Sequence, residues 1–304
     1  MTQSPNRTQS RLNFFKYMSV ATASSVLTNH SLRWSSPVLF NDPFDVPREM
    51  SFGITPAEII DAGARRIMAL LEYPPEETSH LELKLRLIVE TVKKGISDEL
   101  KAQLLAGLKE TSASHKPTEA SMDALRELWR SWIPELRILC LTDSPAHAAM
   151  WYHYADQYYA DQYKGAVLEF RCVDELSSAW LAAKPVTYPE AKPAVYTADG
   201  WAELLTMQQE LAVQKMLDLS TYTKAPDWSY ENEWRITSFK RPTDTGLFTD
   251  YTFSPLELAG VYLGPLMDNT DKNNLTALAR NYPSTKVVAV SIGMSREFLF
   301  NELA

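Results

Sequence analysis

The sequence predicts an α+β protein with a mixed, largely antiparallel sheet and an inserted helical block. Apolar runs of strand length occur near the start of the chain and again after Pro134. Between them, residues 55–133 place apolar side chains every three to four positions, which is the period of a helix. The regular strand–helix alternation of a doubly wound parallel sheet is missing. We therefore expect a disordered lead-in at residues 1–10 and a single α+β domain over residues 11–304.

The first elements are assigned from short local patterns. Residues 12–19 (LNFFKYMS) predict a strand, and residues 19–29 predict a short helix with Ser19 as its N-cap. Residues 31–37 (SLRWSSP) predict a second strand that its proline ends. The segment FNDPFDVP at 40–47 holds two prolines beside Asn and Asp, which is typical of a structured loop.

The later elements follow the same reading. The pair Thr55–Pro56 is a good start for the first helix of the block. Strands are expected at residues 136–143, 165–172, 185–189, 231–239, 258–265 and 286–293. Helices are expected between them, at about 145–160, 200–219 and 270–281.

Composition narrows the classes of partner. The net charge is −8 and the pI about 5.3, so we expect no general affinity for nucleic acid or for anionic membranes. No apolar stretch approaches the ~20 residues of a membrane-spanning helix, and the polar first ten residues predict no secretory signal. Cys140 and Cys172 lie in apolar runs, which favours buried free thiols in a reducing compartment. A cytoplasmic protein is the expectation.

The segment DWSYENEWRITSF (227–239) carries charged side chains at alternate positions of a predicted strand. They are Glu231, Glu233 and Arg235. In an extended chain they share one face, and the other face holds Tyr230, Trp234 and Ile236. The charged face is either an ordinary solvent-facing side of a sheet or the edge of an active site. In an active site, one carboxylate would stay ionised to stabilise positive charge while the other acted as a base or oriented a substrate.

Polar residues near the predicted second strand are further candidates for ligand contacts. They are Ser35, Ser36, Asn41, Asp42 and Asp45. Short hydroxyl and carboxylate side chains at these positions either cap local turns or bind a polar substrate.

The segment AMWYHYAD (149–156) places His153 among aromatic residues, so this histidine is either packed in the core or catalytic. His147 and His153 stand about 240° apart around a helix, so they do not share a metal ion, and no metal site is predicted. The pentapeptide YADQY occurs at 154–158 and again at 159–163, which we interpret as a local duplication.

The ordered boxes FFKYMS, LRWSSPVLFNDPFD, LCLTD, MWYHYAD and KGAVLEF, followed by Lys224 and then WSYENEWRI, resemble a bacterial family of unknown function, over nearly the whole chain after residue 11. More weakly, the opening strand–helix–strand and the late ExE strand resemble the ADP-ribosyltransferase fold. That resemblance implies NAD as the substrate, with Glu233 as the catalytic carboxylate and Glu231 orienting an acceptor. It places Lys16 at the first-strand position, where Arg or His is usual. It places Ser35 or Ser36 at the second-strand position.

The remaining substrate-binding candidates combine this chemistry with the residue patterns described above. Tyr17 or Tyr154 would stack on nicotinamide, and the other polar candidates are Asn41, Asp42, His153 and Arg235.

Three hypotheses of function result. The first is an NAD-using ADP-ribosyltransferase or NAD hydrolase, a toxin or anti-phage effector that binds a nucleotide and a macromolecular acceptor. The second is a non-enzymatic sensor or interaction module that binds a protein through the helices of residues 55–133. The third is a carboxylate–metal hydrolase or nuclease that uses Asp42, Asp45, Glu231 and Glu233.

Overall fold

A computed structural model divides the chain into two compact units. It describes residues 4–50, 53–97, 99–100, 102–103, 106–107, 116–154, 162–191 and 193–303. The sheet unit comprises Met1–Asn41, Pro134–Tyr188 and Lys224–Ala304, and the helical unit comprises Asp42–Ile133 and Pro189–Thr223. The single domain predicted over residues 11–304 stays a prediction. The helical block also extends beyond residues 55–133, because a second segment of the chain packs with it.

The sheet confirms the predicted mixed, largely antiparallel α+β architecture. Its strands are β1 Asn13–Met18, β2 Ser31–Ser35, β3 Leu136–Thr142, β4 Ala166–Arg171, β5 Lys184–Pro185, β6 Glu233–Phe239, β7 Phe248–Thr252, β8 Leu258–Leu263, β9 Lys286–Ile292 and β10 Phe298–Leu303. The main path runs β10-β9-β8-β4-β1-β3-β2-β7, and β6 pairs with β3 and β5. The pair β8–β9 is parallel and the other named pairs are antiparallel.

The helices are α1 Val20–Asn29, α2 Pro56–Glu72, α3 Leu83–Lys93, α4 Lys116–Trp132, α5 Ala148–His153, α6 Ala198–Thr206, α7 Gln209–Thr221 and α8 Asn269–Ala279. Helices α1, α5 and α8 belong to the sheet unit, and the others belong to the helical unit. Across the residues that the structure describes, no helix is both long and apolar enough to span a membrane.

Two helix starts confirm the predicted capping residues. The Ser19 hydroxyl accepts a hydrogen bond from the backbone N–H of Thr22 at 3.3 Å and so caps α1. Thr55 and Glu58 form a reciprocal capping box at the start of α2, with Pro56 in the first turn. These local signals set both helix starts where the sequence predicts them.

The two faces of the central sheet carry separate apolar clusters. Phe14, Leu141 and Ile236 belong to a large cluster that includes α1 and α8 residues. Phe15 and Tyr17, which alternate with Phe14 along β1, belong to a second cluster around Trp151. Because side chains alternate along a strand, the acidic residue Glu233 of β6 lies on the second face.

Residues 4–10 are held against the sheet unit, so this part of the predicted disordered lead-in is ordered. The Arg7 guanidinium binds the Asp174 carboxylate through two hydrogen bonds, Nε–Oδ1 at 3.0 Å and Nη2–Oδ2 at 2.6 Å. The hydrogen bond from Arg7 lowers the pKa of Asp174 to about 2. The backbone N–H of Thr8 donates to the carbonyl of Leu181 at 2.8 Å.

Candidate functional site

Strand β6 begins at Glu233, two residues later than the sequence predicts. Residues Pro226–Glu231 form a 3₁₀ helix, and Asn232 then takes a left-handed conformation with φ of 43°. Proline in the first turn favours that helix, and asparagine tolerates the left-handed region better than most residues. The predicted face of Tyr230, Trp234 and Ile236 is therefore wrong for Tyr230, which packs with the cluster around Trp151.

Four charged side chains from a short stretch of sequence meet in the interior of the sheet unit. The Arg235 guanidinium binds Glu233 with Nε–Oε1 at 2.7 Å and Nη2–Oε2 at 2.9 Å. The Lys224 ammonium contacts both acids, at 2.6 Å from Glu231 Oε2 and 3.2 Å from Glu233 Oε2. The exposed fractions are 7% for Lys224, 2% for Glu231, 5% for Glu233 and 0% for Arg235. We call these four residues the ionic cluster, in which two acids are matched by two bases.

Polar neighbours complete the hydrogen bonding of the two acids. The Tyr154 hydroxyl donates to Glu231 Oε1 at 2.6 Å, and the thiol of Cys140 hydrogen-bonds to Glu233. The Tyr188 hydroxyl accepts from the backbone N–H of Glu233 at 2.9 Å. Both Glu231 and Glu233 are thus held in fixed positions, as a preorganised site requires.

The two acids of the ionic cluster differ in their affinity for protons. Burial and the nearby Glu233 charge raise the pKa of Glu231, although Lys224 opposes this rise. Burial would also raise the pKa of Glu233, but the charges and hydrogen bonds of Arg235 and the charge of Lys224 lower it to about 2. Glu233 is therefore ionised across the neutral range, and Glu231 is the acid that exchanges a proton more readily near neutral pH.

Lys16 reaches this region through a fork in the sheet. Strand β3 pairs with β1 at Thr142 and with β2 at Ile138. The carbonyl of Cys140, between those two positions, accepts a hydrogen bond from Lys16 Nζ at 2.8 Å. Burial lowers the pKa of Lys16, and the negative charge of Glu233 opposes this shift. The structure thus brings Lys16 within electrostatic reach of Glu233.

The other candidates in the first two strands serve the local structure. The Tyr17 hydroxyl donates to the carbonyl of Ser144 at 3.1 Å, and the Tyr17 ring packs edge-on against Trp151 at 5.2 Å. The buried Ser36 caps the next turn, because its hydroxyl accepts from the backbone N–H of Val38 at 3.2 Å. Ser35 is the last residue of β2, with β3 and β7 on its two sides.

The remaining candidates lie at exposed positions or in local turns. His153 is exposed at the end of α5, so the interpretation as a packed core histidine is wrong; its ring lies 6.2 Å from that of Tyr230. Asn41 is exposed, and Asp42 caps its own turn by accepting from the backbone N–H of Phe44 at 2.8 Å. Most of the YADQY repeat, residues 155–161, lies outside the described residues.

Two of the four acids named in the metal hypothesis, Glu231 and Glu233, belong to the sheet unit. In the described part of the chain, no three His, Cys, Asp or Glu side chains are grouped to hold a metal ion. The oxygens of Glu231 and Glu233 instead contact the cations Lys224 and Arg235.

The sequence assigns neither Lys224 nor Tyr188 to the site, although Lys224 precedes the last box of the family resemblance. Their signal was weak, since Lys224 lies seven positions before Glu231 and Tyr188 lies in a short predicted strand. Only the 3₁₀ helix between Lys224 and Glu233 brings the ammonium back to both acids.

Comparison with protein-family models finds a partial match that covers this region. Residues 150–236 match the family described as "Protein of unknown function (DUF2971)". The match supports the resemblance to a family of unknown function. The matched segment contains the whole ionic cluster together with Tyr154 and Tyr188. Comparison with curated proteins and with solved structures gives no significant match.

The opposed pKa shifts predict how acid affects stability. The folded-state pKa of Glu233, about 2, lies below its ordinary value of 4.5, so its ionised form stabilises the protein above pH 4.5. That contribution is lost as the pH falls through this window, by about 1–2 kcal/mol between pH 5 and pH 3. Urea unfolding should therefore show the stability difference between the wild type and Glu233→Gln narrowing over that range. If the stability difference between the wild type and Glu233→Gln stays constant from pH 5 to pH 3, the lowered pKa of Glu233 is contradicted.

Proposed function

We propose that this protein uses NAD, as an ADP-ribosyltransferase-like enzyme that cleaves the nicotinamide–ribose bond and passes ADP-ribose to water or to an acceptor. The observation that carries the proposal is the pair of buried acids with opposed pKa shifts, Glu231 and Glu233. A carboxylate that stays ionised and one that exchanges protons are the two functions this reaction needs.

Glu233 would stabilise the transition state. When the bond between the ribose C1′ and the nicotinamide nitrogen breaks, its electron pair leaves with nicotinamide and the ribose becomes an oxocarbenium-like cation. A fixed negative charge beside that cation stabilises the transition state more than the neutral ribose of the ground state. Arg235 and Lys224 keep Glu233 ionised and oriented.

Glu231 would activate the acceptor. A water or hydroxyl group that attacks C1′ must lose a proton, and a carboxylate with a raised pKa accepts it efficiently near neutral pH. Tyr154 stays protonated, because burial and the Glu231 charge raise its pKa, and so it continues to donate to Glu231.

Incubation with NAD, with free nicotinamide followed by chromatography, tests the proposal. We expect release to increase with pH as Glu231 loses its proton, with a midpoint above the ordinary glutamate value of 4.5. Glu231→Gln should lower the rate by about 10²- to 10⁴-fold and remove this pH dependence. Tyr154→Phe should move the midpoint upward, since the hydrogen bond from Tyr154 lowers the pKa of Glu231.

The matched control is Tyr152→Phe, which removes a neighbouring hydroxyl from an exposed side chain. It should leave both the rate and the midpoint unchanged. An absence of nicotinamide release by the wild type, or equal shifts in the two tyrosine variants, would count against the proposal. If the wild type turns over NAD, the toxin or anti-phage hypothesis predicts that its expression lowers the concentration of NAD in the cell.

A second candidate function is protein binding by the helical unit, which one observation favours. Helix α3 exposes Leu83 and Leu87, one helical turn apart, to 55% and 60%, and Ile88 lies beside them. Apolar side chains grouped on a helix are typical of a protein-binding surface. If the helical unit binds a protein, Leu87→Lys should abolish the complex that is purified with the wild-type chain. The control Leu256→Lys changes an exposed leucine of the sheet unit and should preserve that complex.

A further inference from the structure

Strand β10 lies at one end of the sheet, and apolar side chains are exposed on both of its faces. Among the described residues it pairs with β9 and with no other strand. On one face Phe300 is 39% exposed, and Ile292 at the end of β9 is exposed on the same side. On the other face Leu299 and Leu303 are exposed. Apolar side chains grouped in this way are typical of a surface that another chain covers.

The edge that β10 presents has few of the features that ordinarily keep edge strands from pairing. Natural sheets protect their edges with charged residues, proline, bulges or a covering segment. The six residues of β10 include no proline and one charged side chain, Glu302. The register between β10 and β9 runs without a shift from Phe298 to Leu303, so no bulge interrupts this part of the edge. Such an edge can accept one more strand.

The backbone groups that another strand would meet lie at alternate residues of β10. The backbone N–H of Gly293 donates to the carbonyl of Glu297 at 2.8 Å, so the backbone of Glu297 faces β9. In an antiparallel pair, residues that exchange hydrogen bonds with one neighbour alternate with residues whose groups point to the other side. The backbone groups of Phe298, Phe300 and Glu302 therefore point away from β9.

The sequence of this edge is complementary to itself when two copies run antiparallel. With a two-fold axis through Leu299, Phe298 lies opposite Phe300 of the second copy, and both residues have their backbone groups on the shared side. In the same register Arg296 lies opposite Glu302. Aromatic pairs and opposite-charge pairs are favourable across neighbouring strands. The two-fold axis makes each of these pairs occur twice.

We propose that two copies of this chain pair through their β10 strands, antiparallel and related by a two-fold axis through Leu299. The two sheets then continue into each other across the axis. Because the same edge is used by both copies, the contact closes on itself and gives a dimer rather than a growing fibre. The pairing is independent of NAD use, since β10 contains no residue of the ionic cluster.

Sedimentation velocity of the full chain tests the pairing. Between about 1 and 200 µM we expect a reversible equilibrium of monomer and dimer. Phe300→Lys should leave the chain monomeric throughout, because a lysine on an edge strand opposes pairing. The matched control is Leu12→Lys, an exposed position before β1 that β4, β8 and β9 separate from β10, and it should leave the equilibrium unchanged. A wild type that stays monomeric, or a dimer that survives Phe300→Lys, overturns the proposal.

Reversal of charge tests the register and the identity of the partner. Arg296→Glu and Glu302→Arg should each weaken the dimer about tenfold, because each variant places like charges opposite each other twice. The double reversal should bring the dissociation constant back to within about threefold of the wild type. An equimolar mixture of the two single variants should form mixed dimers, since each reversed residue then meets the opposite charge. If neither the double reversal nor the mixture restores the dimer, the pairing through Leu299 is overturned.

Discussion

Lys224→Met is expected to lower the free energy of unfolding by about 3–5 kcal/mol, because it breaks a buried ion pair from one side. The Lys224 ammonium is 7% exposed and contacts both Glu231 and Glu233. Without it, the two carboxylates share one interior region with Arg235 as the remaining cation of the ionic cluster. Urea unfolding at pH 7 measures the loss.

Two controls separate this effect from a general loss of packing. The double variant Lys224→Met/Glu231→Gln removes one charge of each sign and should recover a large part of the lost stability. Lys240→Met removes a lysine that pairs with Glu135 at 2.9 Å near the surface, and it should cost less than about 1 kcal/mol. Equal losses in Lys224→Met and Lys240→Met would show that the ionic cluster contributes little.

Glu233→Gln is expected to reduce NAD turnover by about 10²- to 10³-fold, the usual cost of removing one electrostatic contact to a transition state. The amide keeps the size of the side chain but removes the negative charge that would face the ribose cation. Stability should also fall, because Arg235 and Lys224 lose a shared partner. Nicotinamide release must therefore be expressed per folded molecule.

Glu169→Gln is the matched control for that experiment. Glu169 is also a buried carboxylate on a strand, and among the described residues its side-chain partners are Lys286 at 2.8 Å, Tyr262 and Asn13 rather than members of the ionic cluster. We expect it to lose stability but to keep its turnover per folded molecule. If Glu233→Gln keeps its turnover as well, the ionic cluster holds the fold together without taking part in catalysis.

The elements predicted best are those with strong local signals. Ser19 and the Thr55–Glu58 box specify helix starts through contacts within one turn. Strands β7 and β10 were missed because neither has one consistently apolar face: both are largely exposed along their length. Such strands owe their pairing to the neighbouring strand, which the local sequence does not reveal.

Local sequence signals also predicted part of the candidate site. Glu231, Glu233 and Arg235 were grouped from their spacing, and they do meet, although the turn at Asn232 rather than a continuous strand brings Glu231 in. The contacts of Lys224 with both acids depend on that turn. The contact of Lys16 with the Cys140 carbonyl depends on the pairing of β3 with both β1 and β2. Both arise from tertiary pairing, so no local pattern could specify them.

The segment that leaves the sheet unit after Tyr188 and returns at Lys224 is closed at its base. The backbone N–H of Lys224 donates to the carbonyl of Thr187 at 2.9 Å, and Tyr188 and Lys224 each hold Glu233 from the two ends. Residues inserted or deleted between these two ends should therefore leave the contacts of Tyr188 and Lys224 with Glu233 in place.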